Sequence, residues 1–204
     1  MKIILIRHGQ TFENVKNICQ GQAPGKLTKK GKQQSLHIAQ NLKSIKFDII
    51  FSSDLARAKD TTKEILKVHK KTQTIYTKEL RELKKGIFEK KPAKFFDSER
   101  KKTKKELWQF KPKGGESWHE AYKRAKKFYG FLRKNYGNKT VLLVSHSTFI
   151  GILISAIMNI HFKNALSFEE HQTHECINEI NVDKKGRGTL RTIHCEKHVK
   201  KLVC

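Results

Sequence analysis

Residues 3–11 read Ile3-Ile4-Leu5-Ile6-Arg7-His8-Gly9-Gln10-Thr11, an unbroken apolar run followed at once by polar residues. Four large apolar residues in a row cannot alternate between core and water. They predict a strand covered on both faces, as in a parallel sheet. Arg7, His8 and Gly9 then fall at the carboxyl end of that strand, the edge at which open α/β sheets bind ligands in the crevice framed by their loops.

Outward from this strand the pattern alternates. A loop, Gln20-Gly21-Gln22-Ala23-Pro24-Gly25, leads to Thr28, a helix N-cap with Leu36, Ala39 and Leu42 following at helical spacing. Phe47 to Phe51 reads as a second buried strand, running into the capping residues Ser52-Ser53-Asp54 and a helix from about Leu55 to Lys67 that carries Arg57 in its first turn. Thr74 to Tyr76 begins a shorter strand ahead of Glu79-Leu80-Arg81-Glu82-Leu83. Ser117 to Glu120 has the spacing of a capping box, with Ala121, Ala125, Phe128 and Leu132 as the apolar stripe behind it. Thr140 to Val144 is another buried strand, ending in Ser145-His146-Ser147, and Phe149 to Met158 reads as a buried helix. Asn178 to Val182 and Thr189 to His194 flank a turn in a hairpin-like arrangement. Strand and helix thus alternate, which predicts a three-layer α/β/α fold around a mostly parallel sheet. The whole of residues 1–204 is expected to form one domain.

Between Lys84 and Lys113 the periodicity fades. Twelve basic residues stand there against four acidic ones, with Phe95, Phe96, Trp108 and Phe110 among them. Aromatics among lysines can stack nucleic-acid bases. They also anchor lids to the bodies they cover, and an inserted lid with short helical pieces is the reading adopted.

Composition narrows the function without choosing it. Lys and Arg number 44 against 19 Asp and Glu, a formal net charge of +25, and such a field attracts anions: phosphorylated metabolites, nucleic acid or an anionic membrane surface. The same excess also arises as plain decoration of solvated faces. The amino-terminal apolar run is too short for a signal peptide, and the stretch nearest a membrane span, Val141 to Met158, is interrupted by Ser145, His146, Ser147, Thr148 and Ser155. Four cysteines, Cys19, Cys176, Cys195 and Cys204, are too few for a disulfide framework, so free thiols and a cytoplasmic location are expected.

Three strand ends carry matching chemistry: Arg7 and His8, Ser53 to Arg57, and His146. If those strands are parallel neighbours, two imidazoles and two guanidiniums meet in one pocket. Two arginine forks suit a tetrahedral dianion. A neutral imidazole whose other nitrogen is fixed by a hydrogen bond can attack phosphorus, and cationic neighbours keep it unprotonated. An acid must protonate the leaving alkoxide. Glu82 is the best-placed carboxylate, with Glu116 and Asp54 as alternatives.

Arg7-His8-Gly9-Gln10-Thr11, Asn14, Leu27-Thr28 to Gly31, Ser52 to Ala58, Arg81-Glu82-Leu83, Gly114 to Ser117 and Ser145-His146-Ser147 resemble, in order and spacing, the histidine phosphatase superfamily, also called phosphoglycerate mutase-like. The resemblance implies its α/β/α fold and a phosphatase that works through phosphohistidine at His8 without metal or organic cofactor. It implies Arg7 and Arg57 as phosphate ligands, His146 as the second histidine, donating to the phosphoryl group, and Glu82 as general acid. Asn14 is similar in place to a residue that touches phosphoryl oxygens, and Thr11, Gln20, Gly21 and Ser147 to residues that line the pocket. A small phosphorylated metabolite is the implied partner.

Two departures stand out. Glu82 is followed by Leu83-Lys84-Lys85-Gly86-Ile87-Phe88-Glu89 in place of the family's carboxylate-Phe-Gly-x-Trp-Glu-Gly run, and Ser147-Thr148 replaces a glycine-containing pair. The alternatives are a phosphoglycerate mutase-type transfer within the same chemistry, and a polyanion- or RNA-binding module drawing on the +25 surface. Arg81 could also hold Glu82 in an ion pair. His171-x2-His174 and His194-Cys195-x2-His198 offer metal-ligand residue types, but without a second pair at zinc-finger spacing.

Overall fold

The computed structural model describes residues 1–170 and 172–194. In chain order the elements are β1 (Lys2–Arg7), α1 (Phe12–Val15), α2 (Lys29–Leu42), β2 (Ile49–Ser53), α3 (Ala56–Leu66), β3 (Thr74–Thr77), α4 (Ala93–Lys102), α5 (Trp118–Tyr136), β4 (Thr140–Ser145), α6 (Ser147–Ile157), α7 (Ala165–Glu169), β5 (Ile177–Val182) and β6 (Gly188–His194). The strands form one sheet in the order β3-β2-β4-β1-β5-β6. β1, β2, β3 and β4 run parallel, while β5 is antiparallel to β1 and forms the predicted hairpin with β6.

The opening apolar run is buried on both sides, as its composition required. Ile3 and Leu5 join the core beneath α5 and α6, whereas Ile4 and Ile6 join the core beneath α2 and α3. All four are fully shielded, at roughly 1.5–3 kcal/mol of burial each, so they pin β1 in the centre of three layers. Thr28 caps α2 through Gly31 N–H, and the Ser117–Glu120 capping box closes the start of α5. The cap of α3 differs from expectation. Its N-cap is Leu55, without a side-chain bond, because Ser52 and Ser53 belong to β2 and Asp54 is drawn to Arg81.

Between residues 84 and 113 stand two 3-10 turns, Gly86–Phe88 and Leu107–Gln109, and the ten-residue helix α4. Phe88 gathers Phe95, Phe96 and Phe110 at ring separations of 5.3–6.0 Å. These aromatics pack the segment into itself. Main-chain bonds from Cys19 N–H to Lys91 and from Ala93 N–H to Asn17 tie it to the loop after α1. No helix among the described residues is long and apolar enough to cross a membrane. Cys19 is a free thiol, whereas Cys176 is disulfide-bonded, a departure from the expected free thiols.

Candidate active site

The register of the central strands builds the site. Arg7 lies opposite Ser145 and Val144 opposite Ser52, so β1, β4 and β2 end level with one another. His8 N–H extends the ladder by one bond to the Ser145 carbonyl at 3.1 Å. His8 therefore emerges beside His146, with ring centroids 5.0 Å apart. The sequence placed three strand ends at one edge, and the sheet order brings them together.

Arg57 organises the two imidazoles. Its Nε lies 3.2 Å from His8 Nε2 and 3.2 Å from His146 Nδ1, while Nη1 and Nη2 donate to the carbonyls of Ala23 and Gly21. His8 Nδ1 is 2.8 Å from the Gly9 carbonyl, and an acceptor there requires that Nδ1 carry the proton. The lone pair of His8 is then on Nε2, the nitrogen facing Arg57. His146 has the opposite assignment: Nδ1 accepts from Arg57, and Nε2 donates to Ser53 Oγ at 2.8 Å. Burial, followed by Arg57, holds both imidazoles well below the usual histidine range, so both are neutral at pH 7. Burial also lowers the Arg57 guanidinium to about 10, which leaves it charged.

Glu82 reaches the same place from the segment after β3. Its Oε1 accepts from the N–H groups of Leu83 (2.9 Å) and Phe149 (3.1 Å), and Oε2 from that of Thr148 (3.3 Å). The free N–H groups of the first turn of α6 thus hold the carboxylate. Arg81 does not pair with Glu82. It makes a two-pronged bridge to Asp54, both contacts at 2.6 Å, and Glu116 is bridged to Arg124. Of the three carboxylates considered from sequence, Glu82 is the one that borders the cavity.

That cavity encloses about 260 Å³. Arg7, His8, Asn14, Gln20, Gly21, Arg57, Glu82 and Ser147 line it. Thr11 does not. It is fully buried as the cap of α1 and takes a hydrogen bond from Gln20 Nε2, which makes it a support for the wall. His146 is likewise fully buried and stands behind His8 and Arg57. Gly9 serves packing: a Cβ there would come within 2.2 Å of the Gly31 carbonyl, where the β1 loop crosses the start of α2. Gly21 has φ +52°, and its carbonyl receives Arg57.

Several neighbours escaped the sequence reading. Gln172 offers its carbonyl to Arg7 Nη1 at 2.6 Å. His174, weighed only as a metal ligand, lies 5.7 Å from the His8 ring with Nδ1 2.8 Å from the His8 carbonyl. Burial, then Arg7, lowers its pKa to about 4. His171, Cys195 and His198 of the metal alternative, and Cys204, lie outside the described residues. Lys85, Asp97 and Glu169 complete the charged lining. No apolar periodicity points to any of them. Only the pair His171 and His174, weighed as metal-ligand residue types, marked that part of the chain.

The model of the histidine phosphatase superfamily, branch 1, matches residues 3–194. The chain belongs to that superfamily. Among curated relatives of this histidine phosphatase, the probable phosphoglycerate mutase GpmB of Escherichia coli is 32% identical over 164 residues, 78% of this chain and 76% of that protein. Among solved structures, the alpha-ribazole phosphatase from Shigella flexneri superposes with a TM-score of 0.83 at 27% identity, covering 95% and 96% of the two chains. A putative alpha-ribazole-5'-P phosphatase from Escherichia coli reaches 0.85 at 24% identity, with 95% of each chain covered.

Proposed function

We propose that this histidine phosphatase hydrolyses phosphomonoesters of small metabolites through a phosphohistidine at His8 Nε2. The observation that carries the reading is the tautomer of His8. Its Nδ1 proton is committed to the Gly9 carbonyl, and its free nitrogen faces the buried Arg57 guanidinium at the cavity's inner end.

The chemistry follows from these contacts. An entering phosphoryl oxygen takes over the Arg57 Nε–H now shared by the two imidazoles, and Arg7 supplies a second guanidinium. His8 Nε2 bonds to phosphorus as the ester P–O bond breaks, and Glu82, protonated as the substrate enters, gives that proton to the leaving alkoxide. Glu82, now a carboxylate, accepts a proton from water as the water attacks phosphorus, and the His8–phosphorus bond breaks to release inorganic phosphate. Arg7 and Arg57 neutralise the equatorial oxygens in both steps. His146, with Ser53 holding Nε2, fixes Arg57 and can donate to a phosphoryl oxygen only after Nδ1 gains a proton.

A cavity of about 260 Å³ falls below the roughly 300–1,000 Å³ of pockets for drug-sized ligands, which supports a small phosphomonoester as the substrate. The test is His8→Ala assayed with p-nitrophenyl phosphate, together with acid-labile phosphate on the wild-type protein by mass spectrometry. Turnover should fall at least a thousandfold, and acid-labile phosphate should map to His8. Retention of a tenth of the activity would sink the assignment.

A further inference from the structure

The lining of the cavity is balanced in charge although the chain is not. Arg7, Arg57 and Lys85 stand against Glu82, Asp97 and Glu169, in a protein of formal net charge +25. The two arginines are committed to the phosphoryl end, and Lys85 Nζ lies over the Phe96 ring, 4.7 Å from its centroid. Ile18, Cys19, Ala93 and Phe96 present an apolar wall where the lid meets the loop after α1. The carboxylates not held by main-chain N–H groups are Asp97 on the exposed lid helix α4 and Glu169 at the end of α7. Thr148 Oγ1 donates to Glu169 Oε1 at 2.5 Å, while Oε2 is shielded from solvent and has no hydrogen-bond partner among the described residues. Burial raises the pKa of Glu169, and a donor reaching this unpartnered oxygen from the cavity that Glu169 borders would favour its carboxylate form.

We infer that the leaving-group end of this cavity selects a neutral or cationic alcohol bearing hydroxyl or amine donors and rejects one bearing a carboxylate, with Glu169 and Asp97 as the discriminating residues. A second anion on the substrate would meet two carboxylates and a single, already engaged lysine. Like charges set against each other discriminate by repulsion as effectively as a good contact does by attraction. The inference rests on the phosphomonoesterase reading above and sharpens it: phosphoglycerates become poor substrates, although the curated relatives carry the name of probable phosphoglycerate mutases.

The test compares glycerol 3-phosphate with 3-phosphoglycerate, which differ by a hydroxymethyl in place of a carboxylate, and uses p-nitrophenyl phosphate as reference. The wild type should favour glycerol 3-phosphate in kcat/KM by about tenfold or more, the scale of one like-charge clash. In the Asp97→Asn, Glu169→Gln double variant that ratio should shrink to about threefold or less, since Gln keeps an acceptor for Thr148 but loses the charge. Asp97→Asn alone, on the exposed lid, should shift the ratio the same way and guards against a misfolded double variant. A wild-type ratio of one or below overturns the inference, and so does a tenfold ratio that neither variant moves. Turnover of the aryl ester alone overturns the selectivity and leaves the phosphatase reading standing. Failure with all three esters and no phosphate on His8 removes both.

Discussion

The inner wall of the cavity and its lid are built on opposite principles. At the inner wall, Arg57 is 1% exposed, His146 0% and His8 3%, and every side-chain nitrogen of these three is answered by another polar atom of the body. The lid is mostly exposed, and an aromatic cluster with a few main-chain bonds to the α1 loop and to Glu116 holds it down. The contrast teaches a division of labour. The wall must hold charge at fixed places in a water-poor setting, which only a packed sheet edge can do, whereas the lid need only present surface to the leaving group.

Breaking the wall should therefore cost most. Arg57→Ala removes the guanidinium that orients both imidazoles and receives the phosphoryl group, so kcat/KM for p-nitrophenyl phosphate should drop by about 10²–10³ or more. Arg57→Lys should rescue little, because a point charge cannot span His8, His146, Ala23 and Gly21 together. Substantial rescue by lysine would argue that charge alone matters there.

Next in size is Glu82→Gln, whose effect should depend on the leaving group. A nitrophenolate departs without help, while an alkoxide needs the proton. The variant should lose about 10²–10⁴ in formation of the phosphoenzyme from glycerol 3-phosphate and far less from the aryl ester in rapid-quench experiments. Equal losses on both would transfer the acid role elsewhere, with Glu169 the next carboxyl to test.

The same contrast explains what could be read from the chain. Arg7, His8, Ser53, Arg57 and His146 were legible because each follows an apolar run that can only be a buried strand, and parallel strands end at one edge. Ser53 misled in detail: it looked like a helix cap and instead fixes His146, a local propensity overridden by the site. Thr11 misled in the opposite way, since the family resemblance implied that it lines the pocket and it instead caps α1. Asp97, Glu169, Gln172 and His174 were illegible because the lid and the segment after α6 have no periodicity that fixes direction; only the folded chain places them. Gly9 was legible only as part of the motif, and what requires a glycine there is the distant Gly31.

The lid's smaller role predicts a smaller penalty. Phe96 is 8% exposed and meets Phe88 and Phe110 edge-on. Truncation of a buried phenylalanine costs about 3–5 kcal/mol when the whole core depends on it. In Phe96→Ala that loss should appear as faster amide exchange confined to residues 84–113 and a several-fold rise in KM, with kcat nearly retained. A collapse of kcat to the level of Arg57→Ala would erase the distinction between wall and lid.

The smallest effect concerns acid stability and lies in the wall alone. His8, His146 and His174 are held below the usual histidine value of 6.5 by burial, and His174 falls to about 4. Above pH 6.5 folded and unfolded chains are both neutral at these rings, and stability does not change with pH on their account. Below it the unfolded chain binds protons that the folded wall refuses, so stability falls as pH drops from 6.5 toward the folded values. His174→Gln keeps a side-chain donor for the His8 carbonyl but deletes one of these sites. Between pH 6 and 4.5 its unfolding free energy should therefore decline less steeply than wild type by nearly one proton, about 1.4 kcal/mol per pH unit. Parallel slopes in urea titrations at those two pH values would mean that His174 is protonated in the folded state. A cation would then sit against the His8 carbonyl, next to the nucleophile.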